Sequence, residues 1–203
     1  MKTLVLIDIQ NDFMPGGALA VEKGNEIVPL VNELQKKFDL VIATQDWHAK
    51  GHSSFASAHR DAKVFDLIKL NGLDQVLWPD HCVQNTPGAE FHPELDSNRI
   101  ETIFRKGTDL SIDSYSGFYD NAHLKSTGLS GYLKEKGVQN VYFAGLAGDY
   151  CVAYSVLDSI AEGFNTTLIE DATRAIDKEG FDQMKLEILR KGGTILNSAE
   201  LEF

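Results

Sequence analysis

The sequence predicts an α/β protein: a single domain of three layers, in which a central, mainly parallel, six-stranded sheet is covered by helices on both faces. Three observations lead to this fold class. The chain has 203 residues, a length typical of one domain with one substantial core. Short continuous apolar runs, typical of strands buried on both faces, alternate with segments whose apolar residues recur at helical spacing. No internal repeat or low-complexity segment interrupts the alternation.

Six strands account for the sheet. Four apolar runs predict buried strands, and two weaker runs, the third and the sixth, complete the set. In chain order they are TLVLIDI (3–9), DLVIATQ (39–45), IETIFRK (100–106), NVYFAGL (140–146), TTLIED (166–171) and GTILN (193–197).

Four amphipathic helices are predicted between these strands. The first is expected to begin after Asn25, a plausible cap, and has Pro29 in its first turn, where a missing N–H costs little. The apolar positions that define the four helices are Ile27, Val31, Leu34 and Phe38; Leu129, Tyr132 and Leu133, ahead of Gly137; Val152, Val156, Ile160 and Ala161; and Phe181, Met184 and Ile188.

Composition excludes several classes of function. The net charge of −11 and the lack of a basic run argue against a nucleic-acid-binding protein. No apolar stretch approaches the length of a membrane span, and the start, MKTLVLIDIQNDF, does not resemble a signal peptide. Two cysteines are too few for a disulfide framework. The chain is therefore expected to be cytoplasmic, with no nucleic-acid or membrane partner.

Residues 46–98 fit no regular pattern and are expected to form an ordered loop region. Trp78 and scattered apolar residues favour order over disorder. A loop region of this length inside a compact domain is usually functional.

Metal-binding residue types are concentrated in this region. The segment QDWHAKGHSSF brings Asp46, His48 and His52 close together in sequence, and WPDHCV adds His81. Nitrogen and carboxylate donors suit zinc, iron or manganese, and the sequence does not choose among them. A polar loop also collects such residues by chance, so the spacing alone leaves a surface cluster as the alternative.

Three residues with catalytic chemistry lie at or just beyond the carboxyl ends of separate predicted strands, where sites form in parallel sheets. Asp8 would be a buried carboxylate, either a backbone cap or a catalytic acid or base. Lys106 ends its strand. Its ammonium is either solvated or lies close enough to the Cys151 thiol to lower the pKa of that thiol. Cys151 follows a tight turn and opens a helix, which favours a thiolate and resembles a nucleophile elbow. A buried structural cysteine is the alternative.

Six ordered motifs resemble those of one known family. They are LVLIDIQNDFMPGGALAV, TQDWHAKGHSSFA, LWPDHCVQNTPGAEFHP, FRKGTD, SYSGF and VYFAGLAGDYCV. Together they resemble the nicotinamidase/pyrazinamidase family of the isochorismatase-like cysteine hydrolases, over nearly the whole chain. The resemblance implies an isochorismatase-like fold of Rossmann-type topology. It also implies one hydrolase domain over residues 1–203, with a metal- and substrate-binding loop region at about 46–98.

The resemblance also implies a set of site residues. The catalytic residues would be Asp8, Lys106 and Cys151, and the oxyanion hole would use the N–H groups of Ala147, after a cis Leu146–Ala147 bond, and of Cys151. Phe13 and Trp78 would sandwich the substrate ring, with Leu19 and Tyr115 lining the pocket. One divalent metal ion, expected to be zinc, with iron or manganese as alternatives, would be held by Asp46, His48, His52 and His81. In place of Gly148 the family often has Thr.

The activity that the resemblance implies is hydrolysis of nicotinamide, and of pyrazinamide, by a cysteine nucleophile in NAD salvage. The partner would be a small aromatic amide, and the chain a monomer or a small homo-oligomer. One alternative is a cysteine amidohydrolase of the same fold that acts on a carbamoyl or ureido compound. A second is a metallohydrolase whose metal activates water, and a third is a metal-binding or redox-sensing protein without catalysis.

Overall fold

The structure, a computed structural model, describes residues 1–202 and contains eight β-strands in that range. In chain order they are β1 (Lys2–Ile7), β2 (Leu40–Asp46), β3 (Leu67–Leu70), β4 (Leu73–Val76), β5 (Ile100–Lys106), β6 (Asn140–Gly145), β7 (Asn165–Thr173) and β8 (Thr194–Leu196). The six predicted strands are all present, and β3 and β4 are additional.

The six predicted strands form one sheet in the order β5-β2-β1-β6-β7-β8. Every neighbouring pair in it is parallel, which confirms the predicted sheet. The chain starts in the middle of the sheet, builds outward through β2 to β5, and then returns beside β1 with β6. Such a reversal of strand order opens a crevice at the carboxyl ends of the central strands.

In the described part of the chain, four α-helices cover the sheet: α1 (Ile27–Gln35), α2 (Leu129–Glu135), α3 (Ala153–Ala161) and α4 (Lys178–Arg190). Leu4 and Leu6 of β1 belong to the same core as α1, whereas Val5 and Ile7 belong to the core formed with the other three helices. Because successive side chains of a strand point to opposite faces, this division places one core on each side of the sheet. The three-layer prediction is therefore confirmed.

The start and end of α1 differ from the prediction. Asn25 lies in a short 3₁₀ turn, Gly24–Glu26, and no side chain caps the helix that follows it. The expected Asn25 cap is therefore wrong, because the 3₁₀ turn leads directly into the α-helix. Phe38 lies beyond the end of α1 but is still buried in the core.

An antiparallel hairpin that was not predicted from the sequence lies within the region 46–98. Strands β3 and β4 pair with each other, and Leu70 lies opposite Leu73. The two turn residues between them, Asn71 and Gly72, both have positive φ, 51° and 84°. An Asn-Gly pair between two short strands is a strong hairpin signal, so the information was present in the sequence.

Three strand ends meet at one edge of the central sheet. Asp46, the last residue of β2, lies in register with Lys106, the last residue of β5. Asp8 directly follows β1, and β1 is the strand that pairs with β2 on its other side. Among residues 1–202, no helix is long and apolar enough to cross a lipid bilayer.

Candidate active site

The Lys106 ammonium lies at the centre of a buried polar cluster. Its Nζ is 2.9 Å from Asp8 Oδ2, 3.1 Å from Asp46 Oδ1 and 3.3 Å from Cys151 Sγ, and it donates to the Ser114 carbonyl at 2.9 Å. Burial alone would lower the pKa of Lys106, but the Asp46 and Asp8 carboxylates raise it well above its usual value. This lysine is therefore a fixed cation.

Asp8 occupies the turn that leaves β1. Its φ of 47° is unusual for a residue other than glycine, and its side chain is buried. Thr44 of β2 donates its hydroxyl to Asp8 Oδ1 at 2.6 Å, while Lys106 contacts Oδ2. Burial raises the pKa of Asp8, and Lys106 acts in the opposite direction. A carboxylate held in this way is a stronger base than an exposed one.

Cys151 lies in a π-helical turn, Gly148–Val152, that continues into α3. The helix start and Lys106 predicted a lowered pKa for this thiol. Burial instead raises its pKa well above the usual value, and the Lys106 ammonium opposes that shift. The expected lowering is therefore wrong, because the sequence does not reveal how completely the sulfur is enclosed. The resting group is a thiol beside a cation and a carboxylate.

The turn between β6 and Cys151 contains the expected cis peptide bond, Leu146–Ala147. The Ala147 carbonyl accepts from the N–H groups of Tyr150 and Val152, both at 3.1 Å. The Ala147 N–H has no backbone acceptor within residues 1–202.

Gly148 is tightly packed rather than loose. A Cβ at this position would lie 3.0 Å from side-chain atoms of both Phe181 and Thr173, closer than an ordinary van der Waals contact. In this chain the glycine lets α4 and β7 approach the turn that carries Cys151, and a threonine would require Phe181 to move.

A pocket opens directly above the cysteine. The residues that line it include all four predicted substrate-binding residues and the two predicted oxyanion-hole residues: Phe13, Leu19, Trp78, Tyr115, Ala147 and Cys151. Tyr150 and Ile176 also line it, and sequence analysis did not select them. Trp78 packs edge-on against Tyr150, with ring centroids 4.8 Å apart. The walls are therefore mostly aromatic and apolar, which suits a flat ring.

The predicted metal ligands form two overlapping groups that share His48. Asp46, His48 and His81 have potential ligand atoms within 4.8 Å of one another, and so do His48, His52 and Asp113. The His48 Nε2 atom lies 3.6 Å from Asp46 Oδ1, and His81 Nε2 lies 3.4 Å from Asp46 Oδ2. These separations are close to the roughly 3.4 Å between two ligand atoms of one tetrahedral zinc ion.

One further observation fits a metal ion at this place. Gly107 follows Lys106 with a φ of +64°, and a Cβ there would lie 2.8 Å from His48 Nε2 and 2.9 Å from Asp46 Oδ1. The glycine thus leaves open the space in front of the ligand atoms.

Backbone positions around Asp46 depend on a glutamine that sequence analysis missed. Gln10 is buried, and its side chain accepts from the Asp46 N–H at 2.8 Å and donates to the Asp46 carbonyl at 2.8 Å. It also donates to the Ala89 carbonyl at 2.9 Å. The only signal for this role in the sequence was a polar residue, Gln10, two positions after Asp8.

Comparison with known proteins agrees with this geometry. The isochorismatase domain family matches residues 2–200. The nicotinamidase of Acinetobacter baylyi is 49% identical over 177 residues, which cover 87% of this chain and 83% of the relative. A nicotinamidase/pyrazinamidase structure from Acinetobacter baumanii superposes with a TM-score of 0.97 at 44% identity, covering 99% of this chain and 98% of the other.

Structures of similar proteins include ones with bound ligands. The structure of a relative from L. infantum in complex with nicotinate superposes with a TM-score of 0.88 at 34% identity, covering 100% of this chain and 95% of the other. The structure of a pyrazinamidase from Pyrococcus horikoshii in complex with zinc superposes with a TM-score of 0.79 at 37% identity. The match covers 97% of this chain and 98% of the other. The chain belongs to the isochorismatase family of hydrolases and, within it, to the nicotinamidases/pyrazinamidases.

Proposed function

We propose that this chain hydrolyses nicotinamide, and pyrazinamide, to the carboxylic acid and ammonia, with Cys151 as the nucleophile. The observation that carries the proposal is that Lys106 contacts both Asp8 and Cys151, while Cys151 lines an aromatic pocket beside a cluster of metal-binding residues. In NAD salvage this reaction supplies nicotinate.

In the first half of the reaction, the Cys151 thiol transfers its proton to the Asp8 carboxylate, and the sulfur attacks the amide carbonyl carbon. The carbonyl oxygen becomes an oxyanion, which the N–H groups of Ala147 and Cys151 stabilise. The intermediate then collapses. The C–N bond breaks as Asp8 returns the proton to the amide nitrogen, which leaves as ammonia because a protonated nitrogen is a far better leaving group.

In the second half, a water molecule cleaves the thioester. Asp8, again a carboxylate, takes a proton from the water as its oxygen attacks the carbonyl carbon, and the C–S bond breaks. The acid leaves and the cysteine regains a proton. Lys106 contacts Asp8 and Cys151 at once, so its fixed charge stabilises the anion on whichever of the two carries it.

The residue set of Asp46, His48 and His81, with His52 as a further candidate from the sequence, would hold one divalent metal ion. When bound, such an ion supplies a Lewis-acidic site for the pyridine nitrogen of the substrate. Phe13 and Trp78 would hold the ring between them, which fixes the carbonyl in front of the sulfur. The zinc in the P. horikoshii pyrazinamidase supports zinc as the ion.

A relative bound to nicotinate supports the substrate class, and the name of the A. baylyi relative supports the reaction. The rival cysteine amidohydrolase, which acts on a carbamoyl or ureido compound, would use the same three catalytic residues. It would have no use for a pocket with aromatic walls beside a metal-binding cluster. The metallohydrolase alternative predicts that Cys151 is dispensable.

The first prediction concerns substrate choice. Nicotinamide and pyrazinamide should release ammonia efficiently, whereas benzamide, which has carbon in place of the ring nitrogen, should be a poor substrate because it cannot use the ring anchor. We expect kcat/KM for benzamide to be at least about 10²-fold lower, the loss that follows from leaving a directional polar partner unused. Ammonia release from the zinc-loaded protein measures it. Equal kcat/KM values for the two amides would rule out anchoring of the ring nitrogen.

A further inference from the structure

Asp149 is a buried carboxylate in the turn that carries Cys151, and the proposed reaction gives it no role. Its Oδ1 accepts the Ile176 N–H at 3.0 Å, and its Oδ2 accepts the Asp177 N–H at 2.8 Å. Both N–H groups belong to one segment, residues 174–177, which joins β7 to α4 and is called the β7–α4 loop below. One side chain therefore ties the turn of the cysteine to that loop.

The β7–α4 loop forms part of the substrate pocket. Ile176 lines the pocket, whereas Asp149 does not line it in the described part of the chain. At the start of the loop, the Arg174 carbonyl accepts the Gly148 N–H at 2.7 Å, so that end is held by the backbone of the cysteine turn. The Asp149 carboxylate holds the other end, which includes the residue that lines the pocket.

The two adjacent N–H groups explain why a carboxylate stands at this position. A carboxylate offers two acceptor oxygens, whereas an asparagine would turn its NH₂ group toward one of the two donors. Burial raises the pKa of Asp149, and the N–H groups of Asp177 and Ile176 act in the opposite direction. A buried carboxylate is costly unless it is hydrogen-bonded, so Asp149 and the β7–α4 loop stabilise each other.

We propose that Asp149 is a positioning residue that holds Ile176 in the wall of the substrate pocket and thereby sets the affinity for the aromatic amide. The inference rests on the proposed function for the identity of the substrate. Ile176 offers apolar surface to a flat ring, and burial of that surface favours the ground state and the transition state alike. Loss of the wall should therefore raise KM and leave kcat nearly unchanged.

Three variants test the inference in steady-state kinetics of the zinc-loaded protein with nicotinamide. Ile176→Ala shortens the wall and Asp149→Asn releases it. Each should raise KM by about 10-fold, the lower end of what apolar groups in a pocket contribute, with kcat within about 3-fold of the wild type. The double variant should have a KM within about 3-fold of that of Ile176→Ala, because residues that act through one contact are not additive. Ile176→Ala keeps both hydrogen bonds of Asp149, so it tests the wall even where Asp149→Asn does not fold.

Asp171→Asn is the matched control. The Asp171 carboxylate accepts the Ser198 N–H at 2.7 Å and the Ser198 hydroxyl at 2.5 Å, so it also holds two donors of a neighbouring segment. Neither of these two residues lines the substrate pocket. The melting temperature of Asp171→Asn should fall, as that of Asp149→Asn should, but its KM should equal that of the wild type.

Alkylation of Cys151 by iodoacetamide gives a readout that does not depend on turnover. Cys151 and Ile176 line the same pocket, and a displaced wall should expose more of the sulfur. Because accessible thiols react faster, the labelling rate of Cys151 should rise several-fold in Asp149→Asn and in Ile176→Ala. In Asp171→Asn it should equal that of the wild type.

Three results would overturn the inference. Wild-type KM and labelling rates in Asp149→Asn and Ile176→Ala, with a lowered melting temperature alone, would make Asp149 purely structural. A loss of kcat in Asp149→Asn at unchanged KM would mean that Asp149 acts in the chemistry. Effects on KM that multiply in the double variant would show that Asp149 does not act through Ile176. A wild-type protein that releases no ammonia from nicotinamide would overturn the proposed function instead, and the labelling rates would still decide whether Asp149 positions the wall.

Discussion

At the scale of single residues, Lys106 explains why the site is one unit. Its ammonium contacts the proposed proton carrier Asp8, the proposed nucleophile Cys151 and the metal-binding candidate Asp46. Sequence patterns placed these residues at strand ends but could not show that one cation touches all of them. They also could not show that enclosure raises the pKa of Cys151, because burial depends on the packing of distant segments.

The two cysteines should differ in reactivity because of access and charge. Burial raises the pKa of both thiols, but Cys151 is 7% exposed at the pocket and has Lys106 beside it, whereas Cys82 is 0% exposed. A brief pulse of iodoacetamide should therefore label Cys151 first, and nicotinate in the pocket should slow that labelling. Peptide mapping by mass spectrometry reads the outcome. Preferential labelling of Cys82 would count against Cys151 as the nucleophile.

Asp8→Asn tests the proposed proton transfer. The amide keeps the shape and the contact with Thr44 but cannot carry a proton, so kcat should fall by about 10²- to 10⁴-fold. The melting temperature should stay within a few degrees, since Lys106 retains Asp46 and the Ser114 carbonyl as partners. Steady-state kinetics and thermal unfolding measure the two effects, with the exposed Asp74→Asn as the control. An Asp8→Asn protein with near-normal kcat would mean that another group moves the proton.

At the scale of elements, the end of β5 shapes the metal-binding cluster. Lys106 closes the strand, and Gly107 turns the chain away with no side chain to fill the space before His48 and Asp46. The motif FRKGTD contained this glycine, but its purpose follows only from the register of β5 with β2. Asp113 was missed for the same reason: it lies beyond the strand end, in a loop whose course cannot be read from periodicity.

Gly107→Ala should damage this cluster specifically. A residue with a Cβ is strained at positive φ, which costs about 1 kcal/mol of stability, and its Cβ would also overlap His48 and Asp46. Gly137→Ala is the matched control, because Gly137 has a similar φ of +69° but no atom within 4 Å of the added Cβ. Both variants should lose stability, and only Gly107→Ala should lose zinc affinity in a chelator competition. Equal zinc affinities would show that the cluster does not depend on this space.

At the scale of the whole molecule, sheet order explains how distant segments build one site. Strand β1 lies between β2 and β6, so the residues that follow its carboxyl end lie beside those that end β2 and those that lead into the cysteine turn. Alternating apolar runs and helical periodicity predicted this sheet, because each strand carries its own burial signal. The contacts of Gln10 with Asp46 and Ala89 were not predicted, since they join segments far apart in sequence. The β3–β4 hairpin was also not predicted, although its Asn-Gly turn is a local signal.

The central claim is that Cys151 attacks the amide carbonyl and forms a thioester. The most direct measurement is an acid quench of the zinc-loaded protein during turnover of nicotinamide, followed by mass spectrometry of the intact chain and of its peptides. The account predicts a nicotinoyl group on the peptide that carries Cys151, absent from Cys151→Ala, which should also lose about 10⁴-fold or more in kcat. Ammonia release by Cys151→Ala at a rate close to that of the wild type would contradict it.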